Sequence, residues 1–370
     1  MSDQVYLRPI GFAPGPQHDH GSAFRLAGGM VYASRVAVLL RRDGAVIDRW
    51  LAGADTVAGV LAELPEDVAA EAEAQWANLR TAHPPLALGA RTVRLDQPQV
   101  VGILNVTPDS FSDGGSFTDP AAGRAHAAAM VEAGAAILDI GGESTRPGAK
   151  PVWEGDEIAR VVPAVEGCAA MGAAVSIDTR KSAVMEGALA AGATMVNDVS
   201  GLSFDPRSAE VVARHGCPVV LMHAPGAAGE DLHEGGDYAS VVFDVFDALR
   251  ARRDEAVAAG IARDRIILDP GIGFGKSLGE STALVNALPL FHALGHPLML
   301  GASRKRMIGA LSNEAPAAQR LGGSVALAMA GMDAGVQLLR VHDVPETVQA
   351  RNVWRGLRDS ALTDFSDLPD

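Results

Sequence analysis

From Val100 onward the sequence returns again and again to one pattern. A short run of Val, Ile and Leu gives way to polar or glycine-containing residues, and Ala-rich stretches of helical length follow. The apolar runs fall at 100–105, 135–140, 174–178, 194–198, 218–222, 265–269, 297–302 and 336–341, with helical stretches such as 120–133, 180–191, 238–259 and 317–334 between them. Short continuous apolar runs alternating with helices predict parallel strands buried on both faces. Eight of them predict a (β/α)8 barrel, because eight parallel strands close on themselves. An open doubly wound sheet is the rival, but it normally carries a glycine-rich phosphate turn after its first strand. Here that position reads Asn105-Val106-Thr107-Pro108.

The polar residues that end these runs carry the functional argument. They are Asn105, Asp139, Asp178, Asn197 with Asp198, His223, Asp269, Ser303-Arg304-Lys305, and Arg340 with His342. Any one of them could be a turn former or a cap. Barrel chemistry sits at the C-terminal ends of the strands, however, so residues in register there converge on one rim. A ring of carboxylates, amides and cations around a buried mouth suits a polar heterocycle, since buried polar groups need partners. Arg340 and His342 lie two apart and so share one side of an extended strand, as an anionic group would require. A structural salt bridge is the alternative for Arg340.

Two loop segments are more specific. Asn105-Val106-Thr107-Pro108-Asp109-Ser110-Phe111-Ser112-Asp113 follows the first strand. Asp139-Ile140-Gly141-Gly142-Glu143-Ser144-Thr145-Arg146-Pro147-Gly148 follows the second. Each resembles a signature of the dihydropteroate synthase family, in the order and at the strand ends where that family carries them. The resemblance extends over roughly residues 98–358 of the 370. It implies condensation of (7,8-dihydropterin-6-yl)methyl diphosphate with 4-aminobenzoate, giving 7,8-dihydropteroate and pyrophosphate, in a cytoplasmic homodimer that is a sulfonamide target.

The same resemblance implies the site. Asp178, Asn197, Met222, Asp269, Phe274 and Lys305 would hold the pterin, and Thr145, Arg146, Pro147, Ser303, Arg340 and His342 would hold 4-aminobenzoate and the diphosphate. Asp178, Lys305, Arg340 and His342 would carry the catalytic burden. Asn105 would ligate Mg²⁺, an ion that takes oxygen ligands largely from substrate phosphates. In Leu221-Met222-His223-Ala224-Pro225-Gly226 the family often has methionine where Ala224 stands, a minor departure. Gly271-Ile272-Gly273-Phe274-Gly275-Lys276 looks superficially like a phosphate loop, but its place after the sixth strand favours pocket lining. A pterin-binding methyltransferase shares the aspartate and asparagine pocket, and a silent pterin-binding paralogue would keep it too. Neither needs a diphosphate cradle.

Composition narrows the rest. A formal net charge of -14 argues against non-specific nucleic-acid binding. Cys168 and Cys217 lack the spacing of a metal site or disulfide framework and read as buried thiols. The opening Met1-Ser2-Asp3-Gln4 does not resemble a signal peptide, and no apolar run reaches membrane-spanning length. Residues 1–95 read as a small α/β appendage and 96–370 as the barrel. In the appendage, residues 1 to about 27 read as irregular, with His18-Asp19-His20 in a solvated loop. Arg42-Asp43-Gly44 reads as a hairpin turn, 55–61 and 67–79 as helices, and Pro84-Pro85 with the segment after it as a linker. Because no motif falls within 1–95, a barrel beginning near Leu95 is expected to keep the chemistry.

Overall fold

A computed structural model of the chain describes residues 3–13, 22–107, 120–146, 148–226 and 231–359. The appendage begins with β1 (Gln4–Ala13), β2 (Phe24–Arg25), β3 (Tyr32–Arg42) and β4 (Ala45–Gly53), which form an antiparallel sheet with β3 at its centre. Asp43 and Gly44 both take positive φ, 50° and 83°, and turn β3 into β4. The Asp-Gly signal predicts that reversal. Residues 4–13 depart from the expected irregular structure. They pair along β3 from Gln4 opposite Arg41 to Ala13 opposite Tyr32. Pro9 is tolerated because β1 is an edge strand with no second neighbour to receive an N–H. His18-Asp19-His20 lies outside the described residues.

Helices α1 (Val57–Ala62) and α2 (Glu66–Arg80) follow where the sequence puts them. Next comes a correction. Residues 86–93 are not a linker but a hairpin of β5 (Leu86–Leu88) and β6 (Arg91–Val93). Gly89, with φ 61°, leads its two-residue turn, as such a loop demands of its first residue. Leu86, Leu88, Val93 and Leu95 form one buried cluster with Val101, Ile137, Ala174, Met195, Val220, Ile267, Met299 and Leu338, which begin or precede the barrel strands. The hairpin plugs the floor of the barrel. A chain cut at Leu95 would leave that floor open.

The barrel runs β7 (Gln99–Asn105), α3 (Pro120–Glu132), β8 (Ile137–Gly141), α4 (Glu154–Ala170), β9 (Val175–Asp178), α5 (Ser182–Ala190), β10 (Met195–Asp198), α6 (Ser208–His215), β11 (Val219–Met222), α7 (Val241–Ala258), β12 (Ile266–Asp269), α8 (Leu278–Phe291), β13 (Met299–Leu300), α9 (Arg306–Leu311), α10 (Leu321–Asp333), β14 (Leu338–Val341) and α11 (Val344–Asp359). The eight strands are parallel in the order β12-β11-β10-β9-β8-β7-β14-β13. A parallel bridge between Leu268 and Leu298 joins the two ends and closes the ring. Strands β9 to β12 are buried at every position, which is why they read as unbroken apolar runs. Among the described residues no helix is long and apolar enough to cross a membrane. Cys168 and Cys217 are buried free thiols, as expected.

The appendage docks on α7 and α8. Tyr6 is fully buried against Phe243 and Phe246, with ring centroids 4.5 and 5.3 Å away, and its hydroxyl donates to Asp247 Oδ2 at 2.7 Å. Arg41 donates to Asp244 Oδ1 through both terminal nitrogens at 3.2 Å. Appendage and barrel therefore share one hydrophobic core. Removing a large buried aromatic costs about 3–5 kcal/mol. Tyr6→Ala should lower the melting temperature by about 4–6 °C without splitting the transition. An unchanged melting curve would show that the appendage is not part of the folding unit.

Candidate active site

The site forms where β8, β9, β10, β12 and β14 end. Parallel register puts Asp139 beside Ser176, Asn197 beside Asp178, and Arg340 beside Val101, so these side chains meet across the barrel mouth. Arg340 donates through Nε to Asp139 Oδ2 at 2.6 Å and through a terminal nitrogen to Asp178 Oδ2. Asn197 Nδ2 donates to the same Asp139 oxygen at 3.0 Å. Burial pushes the Asp178 carboxyl up from the usual carboxylate range, while Arg340 pulls it back. Burial likewise opposes the charge on Arg340, but Asp139 and Asp178 override it and raise the guanidinium's pKa. Asp139 Oδ1 and Asn197 Oδ1 are buried acceptors without a hydrogen-bond partner among the described residues. Two unpartnered acceptors buried at strand ends rich in carboxylates suit a ligand edge that donates.

A second charged pair faces the first. Asp269 is buried and accepts from Gly271 N at 2.7 Å. Its carboxyl is pushed up by burial and held down by Lys305. Lys305 donates to the Ile272 carbonyl, and its ammonium lies 4.2 Å from the centre of the Phe274 ring. Burial lowers its pKa to about 8, with Asp269 opposing. Phe274 and Met222 belong to a small buried cluster with Val199, Ala224 and Leu232. That cluster is an apolar wall for a flat ring. Met222, expected to pack on a pterin, lies in this cluster, and Ala224 packs there too.

The glycine run after β12 serves interlocking rather than phosphate binding. Gly271 has φ 67°, and a Cβ there would lie 1.9 Å from the His223 carbonyl oxygen. Gly275 has φ 56°, and a Cβ would strike Pro225 at 2.2 Å and Glu234 O at 2.5 Å. Lys276 fastens this crossing by donating to the carbonyls of His223, Gly271 and Phe274 at 3.3, 2.9 and 3.0 Å. Burial pushes its pKa down to about 7, yet three carbonyl acceptors and His223 Nδ1, 3.1 Å away, surround the three protons of an ammonium. Asp198 is likewise structural, accepting from Ser200 N and Oγ and from Leu202 N.

The remaining expected residues sit around the rim. His342 Nδ1 lies 3.1 Å from Ser303 Oγ, which also accepts from His342 N. Arg304, with φ 56°, turns its guanidinium onto both oxygens of Asp343. A cavity of about 220 Å³ opens beside Asp178, lined by Thr145, Arg146, Thr179, Val199, Leu232 and His233 among others. Asn105 ends β7 half-buried, its Oδ1 3.5 Å from where a Cβ on Gly141 would stand. Pro147 and residues 108–113 lie outside the described residues.

Three features escape sequence reasoning. Glu143 and Glu157 clamp Lys181 at 2.5 and 2.6 Å, and Thr179 Oγ1 donates to Glu157 at 2.7 Å, bracing the loop after β8. Lys276 was visible only as part of a glycine motif. His233, half-buried, stacks on Phe274 with ring centroids 4.9 Å apart. No spacing announces these contacts, because each joins loops from different strands.

Burial pushes the His342 imidazole down to about 3, with the Arg340 and Arg304 cations adding to the effect. A depressed histidine stays neutral above its folded value, so His342 works as a neutral hydrogen-bonding group at physiological pH. Its ring-proton NMR shifts should stay flat between pH 5 and 8. Titration near the ordinary histidine value of about 6.5 would show that the side chain is not enclosed.

The family model described as "Pterin binding enzyme" matches residues 101–342. Dihydropteroate synthase of Neisseria meningitidis serogroup B is 46% identical over 275 residues, covering 73% of this chain and 96% of the relative. Among solved structures, Xanthomonas albilineans dihydropteroate synthase with 4-aminobenzoic acid superposes with a TM-score of 0.70 at 44% identity, covering 78% of this chain and 100% of that one. The same enzyme in complex with 7,8-dihydropteroate gives 0.67 at 41%, covering 77% and 100%. The signatures at the first two strand ends, the closed barrel and these likenesses agree: the chain belongs to the dihydropteroate synthase family.

Proposed function

We infer that the chain is a transferase that condenses (7,8-dihydropterin-6-yl)methyl diphosphate with 4-aminobenzoate, giving 7,8-dihydropteroate and pyrophosphate in folate biosynthesis. The observation that carries this reading is the convergence of Asp139, Asp178, Asn197, Asp269, Lys305 and Arg340 on one buried mouth. A pterin edge presents an amide-like N–H, an amino group and ring nitrogens. The carboxylates of Asp178 and Asp269 and the buried, unpartnered Oδ1 of Asn197 would accept from the donors, and Lys305 would donate to a ring acceptor. Met222 and Phe274 cover the ring's faces.

The reaction forms a bond between the arylamine nitrogen and the pterin's methylene carbon and breaks that carbon's bond to the diphosphate oxygen. The arylamine proton is lost and pyrophosphate departs. No covalent protein nucleophile is required. Delocalisation of positive charge into the pterin lets the leaving group depart ahead of attack, and buried carboxylates stabilise that charge. Arg340 uses two of its five N–H donors on Asp139 and Asp178, so others can turn toward the diphosphate together with His342 and Ser303. Thr145 and Arg146, beside the cavity next to Asp178, would take 4-aminobenzoate, with Pro147 in the same signature. Sulfonamides, which also present an arylamine and an acidic group, would compete there.

Among the described residues no group of three His, Cys, Asp or Glu side chains is arranged to hold a metal. Asn105 still offers one half-buried oxygen at the rim, which fits an ion held mainly by substrate. Mg²⁺ bound there would offset charge on the diphosphate. The chain divides at residues 95 and 96 into appendage and barrel, with the β5–β6 hairpin as the part of the appendage that completes the barrel floor. A homodimer in the cytoplasm completes the proposal. The packed helices α10 and α11 leave Leu321, Met329, Val353 and Leu357 exposed, an apolar surface that a second copy would cover.

Purified protein supplied with the pterin diphosphate, 4-aminobenzoate and Mg²⁺ should release pyrophosphate. Pterin binding without release would instead fit a silent binding protein. Asp269→Ala should weaken pterin binding by roughly ten- to a hundredfold, the loss of a hydrogen bond to a charged group of about 1.5–3 kcal/mol. Calorimetry finding wild-type affinity in that variant would remove Asp269 from the pocket.

A further inference from the structure

The loop between β11 and α7 brings a residue into the rim that neither signature contains. His233 Nε2 lies 2.6 Å from the Thr145 carbonyl oxygen. A carbonyl only accepts, so the imidazole carries its proton on Nε2 and donates it. The same ring stacks nearly parallel on Phe274, at 13° and 4.9 Å, and Phe274 in turn carries the Lys305 ammonium 4.2 Å from its ring centre. His233 therefore touches the loop after β8 with its edge and the loop after β12 with its face.

The segment that bears it is braced by a local turn and anchored to the loop after β12. His233 N donates to Asp231 Oδ1 at 2.8 Å. Gly236 N donates to Gly275 O at 3.2 Å, next to the close approach of Gly275 to Glu234. Leu232 is buried in the apolar wall with Met222 and Phe274. The ring is thus set by its surroundings rather than swinging in solvent, and both Thr145 and His233 line the cavity beside Asp178.

We propose that His233 is a positioning residue for the second substrate: its Nε2–H fixes the Thr145 backbone, and its stack on Phe274 ties that backbone to the wall of the pterin pocket. The inference rests on the assignment of Thr145 and Arg146 to 4-aminobenzoate. Fixing Thr145 relative to Phe274 sets the distance between the arylamine and the pterin's methylene carbon, the one spacing on which bond formation depends. The residue acts through Thr145 and not on the reacting atoms.

Three variants separate the parts of this role. His233→Phe keeps the stack and removes the donor, His233→Gln keeps a donor and removes the stack, and Arg146→Ala tests the subsite itself. His233→Phe should raise KM for 4-aminobenzoate by about three- to tenfold, as expected for one neutral hydrogen bond. It should leave KM for the pterin diphosphate and the affinity for bare pterin at wild-type values, and His233→Gln should recover only part of the loss, since it restores a donor without the stack. Equal damage to both substrates, or a fall in bare-pterin affinity, would make His233 a general brace of the mouth and overturn the proposal. An unchanged 4-aminobenzoate KM in His233→Phe with a raised one in Arg146→Ala would overturn the clasp alone. Unchanged values in both would overturn the subsite assignment, and the clasp with it.

Discussion

Arg340 is the interaction on which the rest of the mouth depends. Two carboxylates, Asp139 and Asp178, sit 1% and 9% exposed at neighbouring strand ends. Carboxylates that deep are costly unless paired and hydrogen-bonded. One guanidinium on β14, which lies one strand beyond β7 from β8, pairs with both, and Asn197 adds a bond to Asp139. The three strands β14, β8 and β9 are thereby fixed to one another at the rim as well as along their ladders. Without the cation, burial would drive Asp178 toward its neutral form, and a neutral acid is a poorer acceptor for a donor-rich ligand.

From that pair the functional geometry follows outward. Asp269 and Lys305 lie close enough for their charges to act on Arg340 and Asp178, so the strand ends bring together several acceptors and one ammonium. The apolar wall of Met222, Phe274 and Leu232 stands beside them, and its position is set by the crossing of two loops at Gly271 and Gly275. Lys276 holds that crossing through carbonyls, so its charge organises backbone. The acidic net charge of the chain is compatible with an anionic substrate because the cations are local and partly desolvated, where they act more strongly than the distant field.

Much of this was legible before any coordinate. The barrel strands could be read because burial on both faces leaves an unambiguous apolar run, and the rim could be read because each run stops at a residue that needs a partner. The sequence did not reveal which partners those are. Arg340 looked suited to an anionic leaving group, and its two aspartate contacts emerge only once β14 pairs with β7 beside β8. Strand β1 was hidden by the glycine, proline and histidine composition beyond it, since its partner β3 lies some thirty residues on. The β5–β6 hairpin did carry a local signal, Gly89 between Leu86-Ala87-Leu88 and Arg91-Thr92-Val93, which the preceding Pro84-Pro85 masked. His233 and the Glu143–Lys181–Glu157 clamp had none, because they join loops that only the closed barrel brings together.

The central claim is that Arg340 sets the charge of the pterin pocket in addition to facing the diphosphate. A double-variant cycle measures it: Arg340→Met, Asp139→Asn and the pair, each followed by thermal unfolding and by calorimetry with a pterin lacking the diphosphate. Breaking a buried pair from one side costs about 3–5 kcal/mol, because the orphaned charge stays behind. Arg340→Met alone should lose that much stability and bind bare pterin more weakly. Combining it with Asp139→Asn should cost less than the two single changes added together. Normal stability and normal bare-pterin affinity in Arg340→Met, with only turnover lost, would contradict this and leave Arg340 a residue for the leaving group alone.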